Sequence, residues 1–313
     1  MKTVKTNFAS QIIILCVALL IALPVRVYQY LHVIDPTTGF YISWLQPTVF
    51  GLYGLCLLVI VLLIALSFKG RKKTLYAMPS GKKPGLGAAS LVFSLSLFAE
   101  SAVSVYRAFA ISSGSLPVQQ LVIGDNVGKA TLIFTVLQVV FGLLSAVFMM
   151  LFAISFFTGN PLYKKAILLS AAPALWGVSR MMIGFSQTIS YRYVSELIFD
   201  LLMIVFFTMF SVAFAKMCAG VLEHRIQMRL FAYGALASFF AMLCAVPRYV
   251  VFLMGRQDVL YRQTNLYEFA DLIIPVFVMV AVFSIVATKQ YKSVEEYGAE
   301  SEEQGEAESE AEA

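Results

Sequence analysis

Histidine is almost missing from this chain, with two in 313 residues, His32 and His224. That scarcity argues against bis-histidine haem ligation, a histidine-rich metal centre and a serine–histidine catalytic pair. Cysteine is nearly as scarce. Cys16, Cys56, Cys218 and Cys244 all fall in or beside apolar stretches, and none forms a CxxC or neighbours a histidine. They read as small buried hydrophobes rather than metal or redox ligands. No metal and no cofactor is therefore expected. The Walker A pattern, HExxH and the Gly-x-Ser-x-Gly elbow are missing too, so no ATP-driven motor, zinc protease or serine hydrolase is legible. An enzyme is the less favoured class; an intramembrane lipid-modifying enzyme would need a Glu or Asp as its base.

Charge is also scarce, at 13% of residues against 60% hydrophobic ones. With a mean hydropathy of +0.82, a soluble chain of this length could not hide its apolar surface. The formal net charge of +5 sums two opposite regions, because nine carboxylates and no Lys or Arg follow Val294. The rest is strongly basic. That basicity suits a membrane surface, and no nucleic-acid partner is expected.

What fills the chain is apolar runs long enough to span a bilayer, which takes about 20 residues. They lie at Phe8–Tyr30, Thr48–Phe68, Leu86–Ile111, Ala130–Phe157, Ala166–Phe185, Glu196–Ala219, Arg229–Met254 and Leu266–Thr288. The expected fold class is an all-α polytopic membrane protein with eight transmembrane helices over residues 1–292, followed by a disordered acidic cytoplasmic tail over 293–313. The start resembles a signal peptide, but no small-x-small cleavage site follows, so it reads as an uncleaved first helix. Basic residues gather at the N-terminus (Lys2, Lys5), between the second and third spans (Lys69 to Lys83), between the fourth and fifth (Lys164, Lys165), between the sixth and seventh (Lys216, Arg225, Arg229) and after the eighth (Lys289, Lys292). The positive-inside rule puts all of these, and both termini, in the cytoplasm, with the cell membrane as the expected location.

Each odd-numbered span carries an arginine near its far end: Arg26, Arg107, Arg180 and Arg248. A degenerate pattern surrounds them, as in Pro24-Val25-Arg26-Val27-Tyr28 and Pro247-Arg248-Tyr249, and predicts four parallel helical-hairpin repeats. Snorkelling to outer headgroups is one explanation and would leave the four arginines lipid-facing. Glu100, Asp200 and Asp271 argue partly against it, since each lies within a span. Glu196 and Glu268 share helix faces with the two aspartates. Hairpin geometry predicts the pairs Arg180–Asp200 and Arg248–Asp271. The candidate ligand-binding set is thus Arg26, Glu100, Arg107, Arg180, Asp200, Arg248 and Asp271.

Tyrosines cluster at the same level, mostly as an expected interfacial belt. Pro24, Pro173 and Pro247 are expected to interrupt arginine-bearing helices, and Pro275 follows Asp271 by a turn. Mixed charge of this kind suits an outward-facing polar pocket. It would bind or transport a small anionic or zwitterionic solute, or a lipid headgroup, with arginine clamping the anion and carboxylates holding an amine. The other class is a non-catalytic sensor, scaffold or accessory subunit, with the acidic tail engaging a protein partner and the inner loops the lipid bilayer.

Overall fold

The computed structural model describes residues 2–35, 41–43, 46–68, 75–76, 78–112, 129–186, 194–221, 224–256, 268–288 and 290–291. The acidic tail and most long loops lie outside them. Among the described residues, eight helices are long and apolar enough to cross a membrane, so the bundle is compatible with an integral multi-pass membrane protein. The helices are α1 (Lys2–His32), α2 (Pro47–Phe68), α3 (Pro84–Ser112), α4 (Lys129–Thr158), α5 (Ala172–Ser186), α6 (Val194–Cys218), α7 (His224–Leu253) and α8 (Phe269–Val286). Pro47 and Pro84 stand at first positions, where a helix needs no N–H donor and proline's fixed φ suits the start.

The fifth span departs from expectation. A 3-10 stretch, Leu162–Ala171, precedes α5, with a non-helical break at Ala166 (φ −119, ψ 37). Pro173 therefore does not interrupt α5. It lies in its first turn, because its ring and missing N–H bar an α-helix from continuing back through Leu169. Pro24, Pro247 and Pro275 do lie inside their helices.

Sequential helices pack side by side from α3 to α8, and α3 closes on α8, which makes a ring of these helices. The first hairpin stands outside the ring, with α1 and α2 both against α7. α7 is accordingly the most enclosed span, with Leu236, Phe239, Phe240 and Leu243 all fully buried. The packing does not distinguish four equivalent hairpins: α4 lies against α5 and α6 against α7 as closely as helices within a hairpin do.

Aromatic rings fill the middle of the ring of helices. Phe93 of α3 stacks on Phe277 of α8 at 4.9 Å between centroids and meets Phe207 of α6 edge-on at 5.9 Å. Phe207 in turn meets Trp176 of α5 at 5.7 Å. Phe210 and Phe214 of α6 close on Phe277 at 6.4 and 5.8 Å. Such offset and edge-to-face contacts form a dense apolar seam. Close helix approach tightens it: a Cβ on Gly177 of α5 would collide with the Thr208 hydroxyl of α6, and one on Gly142 would lie 2.6 Å from the Ser101 hydroxyl.

At one end of the bundle, Leu75–Tyr76 pairs antiparallel with Gln290–Tyr291. This ties the segment after α2 to the one after α8. Nearby, Lys83 Nζ donates to the Ser284 carbonyl at 3.3 Å. Lys83 and the strand pair thus lie at one end of the molecule.

Candidate functional site

The charges within the apolar spans gather at the opposite end. Arg180 at the middle of α5, Arg248 near the end of α7, Asp200 near the start of α6 and Asp271 in the first turn of α8 are all buried. Arg26 of α1 is 1% exposed. None of these three arginines faces lipid, so snorkelling does not account for them. The side chain of Arg107 lies outside the described residues.

The arginines do not pair as hairpins would dictate. Arg180 reaches Asp271, with Nη1 donating to Oδ1 at 2.5 Å and Nη2 to Oδ2 at 2.8 Å. Its Nη2 also donates to Glu268 Oε2 at 2.9 Å. Arg248 takes Asp200, with Nη2 donating to both carboxylate oxygens at 2.5 and 2.7 Å. The expected Arg180–Asp200 pair is therefore replaced. Arg248 and Asp271 keep only a 3.6 Å ion contact. The reason is the ring. It sets α6 beside α7 as closely as beside α5, and it lets the long side chain of Arg180 cross the interior to α8. Proximity across the ring, not chain connection, chooses the partner.

Glu268, just ahead of α8, joins the two halves. Its Oε2 is 2.9 Å from Arg180 Nη2 and 3.7 Å from Arg248 Nη1. At 28% exposure its side chain is the most open of the bonded group, against 1% for Asp271. Forked, charge-assisted bonds of this kind are short and orienting. In a poorly hydrated interior each charge depends on its partners.

Glu100 extends the cluster from α3. It is 5% exposed, and its Oε1 accepts a bond from Gln138 Nε2 of α4 at 3.3 Å. Its carboxyl faces the Ala270 amide in the first turn of α8, where unbonded helix N–H groups favour negative charge. Among the described residues, Oε2 nonetheless has no donor in hydrogen-bond geometry. Arg248 Nε, equally buried, has no acceptor. Among the described residues, Glu100 Oε2 and Arg248 Nε are thus the members of the cluster without a close hydrogen-bond partner.

Arg26 occupies an annex between the outer hairpin and the ring. Its Nη1 donates to Gln29 Oε1 at 3.0 Å and to the Tyr41 hydroxyl at 3.3 Å. Its guanidinium lies over the rings of Tyr30 at 4.7 Å and Phe199 at 4.8 Å, in cation–π geometry. Glu196 interacts electrostatically with both Arg26 and Arg248 and so links the annex to the main cluster. Among the described side chains, the acidic members of the cluster are Glu100, Glu196, Asp200, Glu268 and Asp271, and the basic ones Arg26, Arg180 and Arg248.

The chain matches no protein-family model, no curated protein and no solved structure.

Tyrosine behaviour splits. Tyr28 and Tyr106 are exposed, as a belt requires, whereas Tyr30 and Tyr41 are buried against Arg26. Tyr191, Tyr193, Tyr261 and Tyr267 lie outside the described residues. Gln29 and Gln138 carried no sequence signal, because a single glutamine in an apolar run has no characteristic spacing. The shared role of Glu268 was half visible, since its three-residue offset from Asp271 puts the two on one face. Among the described residues no cluster of His, Cys, Asp and Glu is arranged to hold a metal ion.

Proposed function

We propose that this membrane protein binds a small zwitterionic solute or headgroup, bearing an amine and a carboxylate or phosphate, at the buried charge cluster around Glu268. The carrying observation is the unmatched pair within it, the Glu100 Oε2 acceptor and the Arg248 Nε donor. The engagement of the arginines by carboxylates favours an ammonium group as the first attraction. A purely anionic solute would have to displace a bidentate aspartate, so the zwitterion is the better fit. The partial exposure of Glu268 gives the side of approach, at the end away from the basic loops, which the positive-inside rule makes the outer face. Transport is the extended form of this reading and needs the cluster to open to both sides.

A second reading has its own support. The network of described ion pairs ties α5, α6, α7 and α8 together. That suits a structural clasp in a sensor, scaffold or accessory subunit, with the acidic tail as a contact for a basic protein.

The test is a thermal-shift screen of the purified chain with amino acids, betaines and phosphocholine. One class should raise the melting temperature of the wild type but not of folded Glu100→Gln. If no zwitterion shifts the wild type, or if Glu100→Gln responds equally, the clasp reading takes over.

A further inference from the structure

At the end opposite the charge cluster, a groove of about 250 Å³ opens between α6 and α7. Met209, Val212 and Ala213 of α6 and Ile226 and Tyr233 of α7 form its walls, with Lys216 and Arg229 at the mouth. Lys216 stands in the last turn of α6, and Arg229 lies in the second turn of α7. From Thr208, at the deep end of the groove, to Lys216 is eight residues, or about 12 Å of helix. Met209 and Val212 are about half exposed on the outer surface of the bundle. The groove therefore faces whatever surrounds the helices rather than the interior.

We infer that this groove holds one anionic phospholipid from the leaflet on the basic side. A bundle with this apolar surface has acyl chains as its neighbouring solvent, and a cleft running down from the helix ends is filled by one of them. Charge decides which lipid. Lys216 and Arg229 project from adjacent helices near their basic ends, and no carboxylate is among the described lining residues. A net-anionic headgroup gains from both cations, whereas a choline headgroup brings its own positive charge against them. Arginine adds a fork that fits two phosphate oxygens, while lysine supplies a point charge. Tyr233 places an amphipathic ring on the wall, as at bilayer interfaces. The site depends on membrane insertion but is independent of any solute at the arginine cluster.

Native mass spectrometry of the full-length protein, titrated with phosphatidylglycerol or phosphatidylcholine, tests this. The wild type should retain one phosphatidylglycerol in preference to phosphatidylcholine by about tenfold. Lys216→Gln/Arg229→Gln should lose that preference. Val212→Trp, which fills the groove from a lipid-facing position, should lose the adduct with both cations intact. Lys164→Gln/Lys165→Gln, a basic pair elsewhere in the chain, should behave as wild type. Equal retention of both lipids overturns the inference, as does an undiminished adduct in folded Lys216→Gln/Arg229→Gln. Saturable binding of inorganic phosphate in place of lipid, or a protein chain seated in the groove, also overturns it.

Discussion

Asp271 shows how much a single residue carries. It is 1% exposed and accepts both Nη groups of Arg180, while Arg248 stands 3.6 Å away. Removing one member of a buried ion pair strands the other, at about 3–5 kcal/mol. Asp271→Ala and Arg180→Ala should each destabilise the protein on that scale. The double variant should recover a large part of the loss, because neither charge is left alone. The same recovery is expected for Arg248→Ala with Asp200→Ala. Arg180→Ala with Asp200→Ala, the pair the linear sequence suggests, should instead be roughly additive. Melting curves of the singles and doubles check all three cycles, and strong coupling in the third would break the observed pairing. At Arg26 the expected effect is different in kind. Arg26→Lys keeps the charge but loses the flat guanidinium stacked between Tyr30 and Phe199, so it should still cost stability.

At the level of elements, α5 is the outlier. It is a short helix preceded by a 3-10 stretch, and Pro173 marks where the one turns into the other. Its contact with α6 rests on Gly177, whose missing side chain leaves room for the Thr208 hydroxyl. Gly177→Ala should lower the melting temperature by several degrees, and Thr208→Ala in the same chain should restore part of it by freeing that space. Equal melting temperatures for wild type and Gly177→Ala would show that the two helices can part cheaply. Elements of this kind mark what was legible beforehand. Eight spans could be read from hydropathy, because a membrane helix is an uninterrupted apolar run with little competing signal. The charged positions were equally visible, since Arg180, Asp200, Arg248 and Asp271 interrupt such runs. Their partners were not. Pairing depends on which helices are neighbours in space, and α6 has a neighbour on each side with nothing in its sequence to rank them. The closure of α3 on α8, and the exclusion of α1 and α2 from the ring, were hidden for the same reason.

For the molecule as a whole, the short strand pair offers a handle on topology. Leu75 and Tyr291 are directly opposed across it. A Leu75→Cys/Tyr291→Cys variant should form a disulfide on mild oxidation, and before oxidation both thiols should react with an impermeant reagent added from the same membrane side. Labelling from opposite sides would contradict the shared end seen here. If that side is the cytoplasm, the charge cluster faces outward. Beneath it, Phe93, Phe207 and Phe277 stand six or seven residues along their helices from Glu100, Asp200 and Asp271, about 10 Å deeper. A molecule that settles among the arginines would thus have a wall of interlocked rings at its back. In this conformation a solute bound as proposed would enter past Glu268 and leave by the same side.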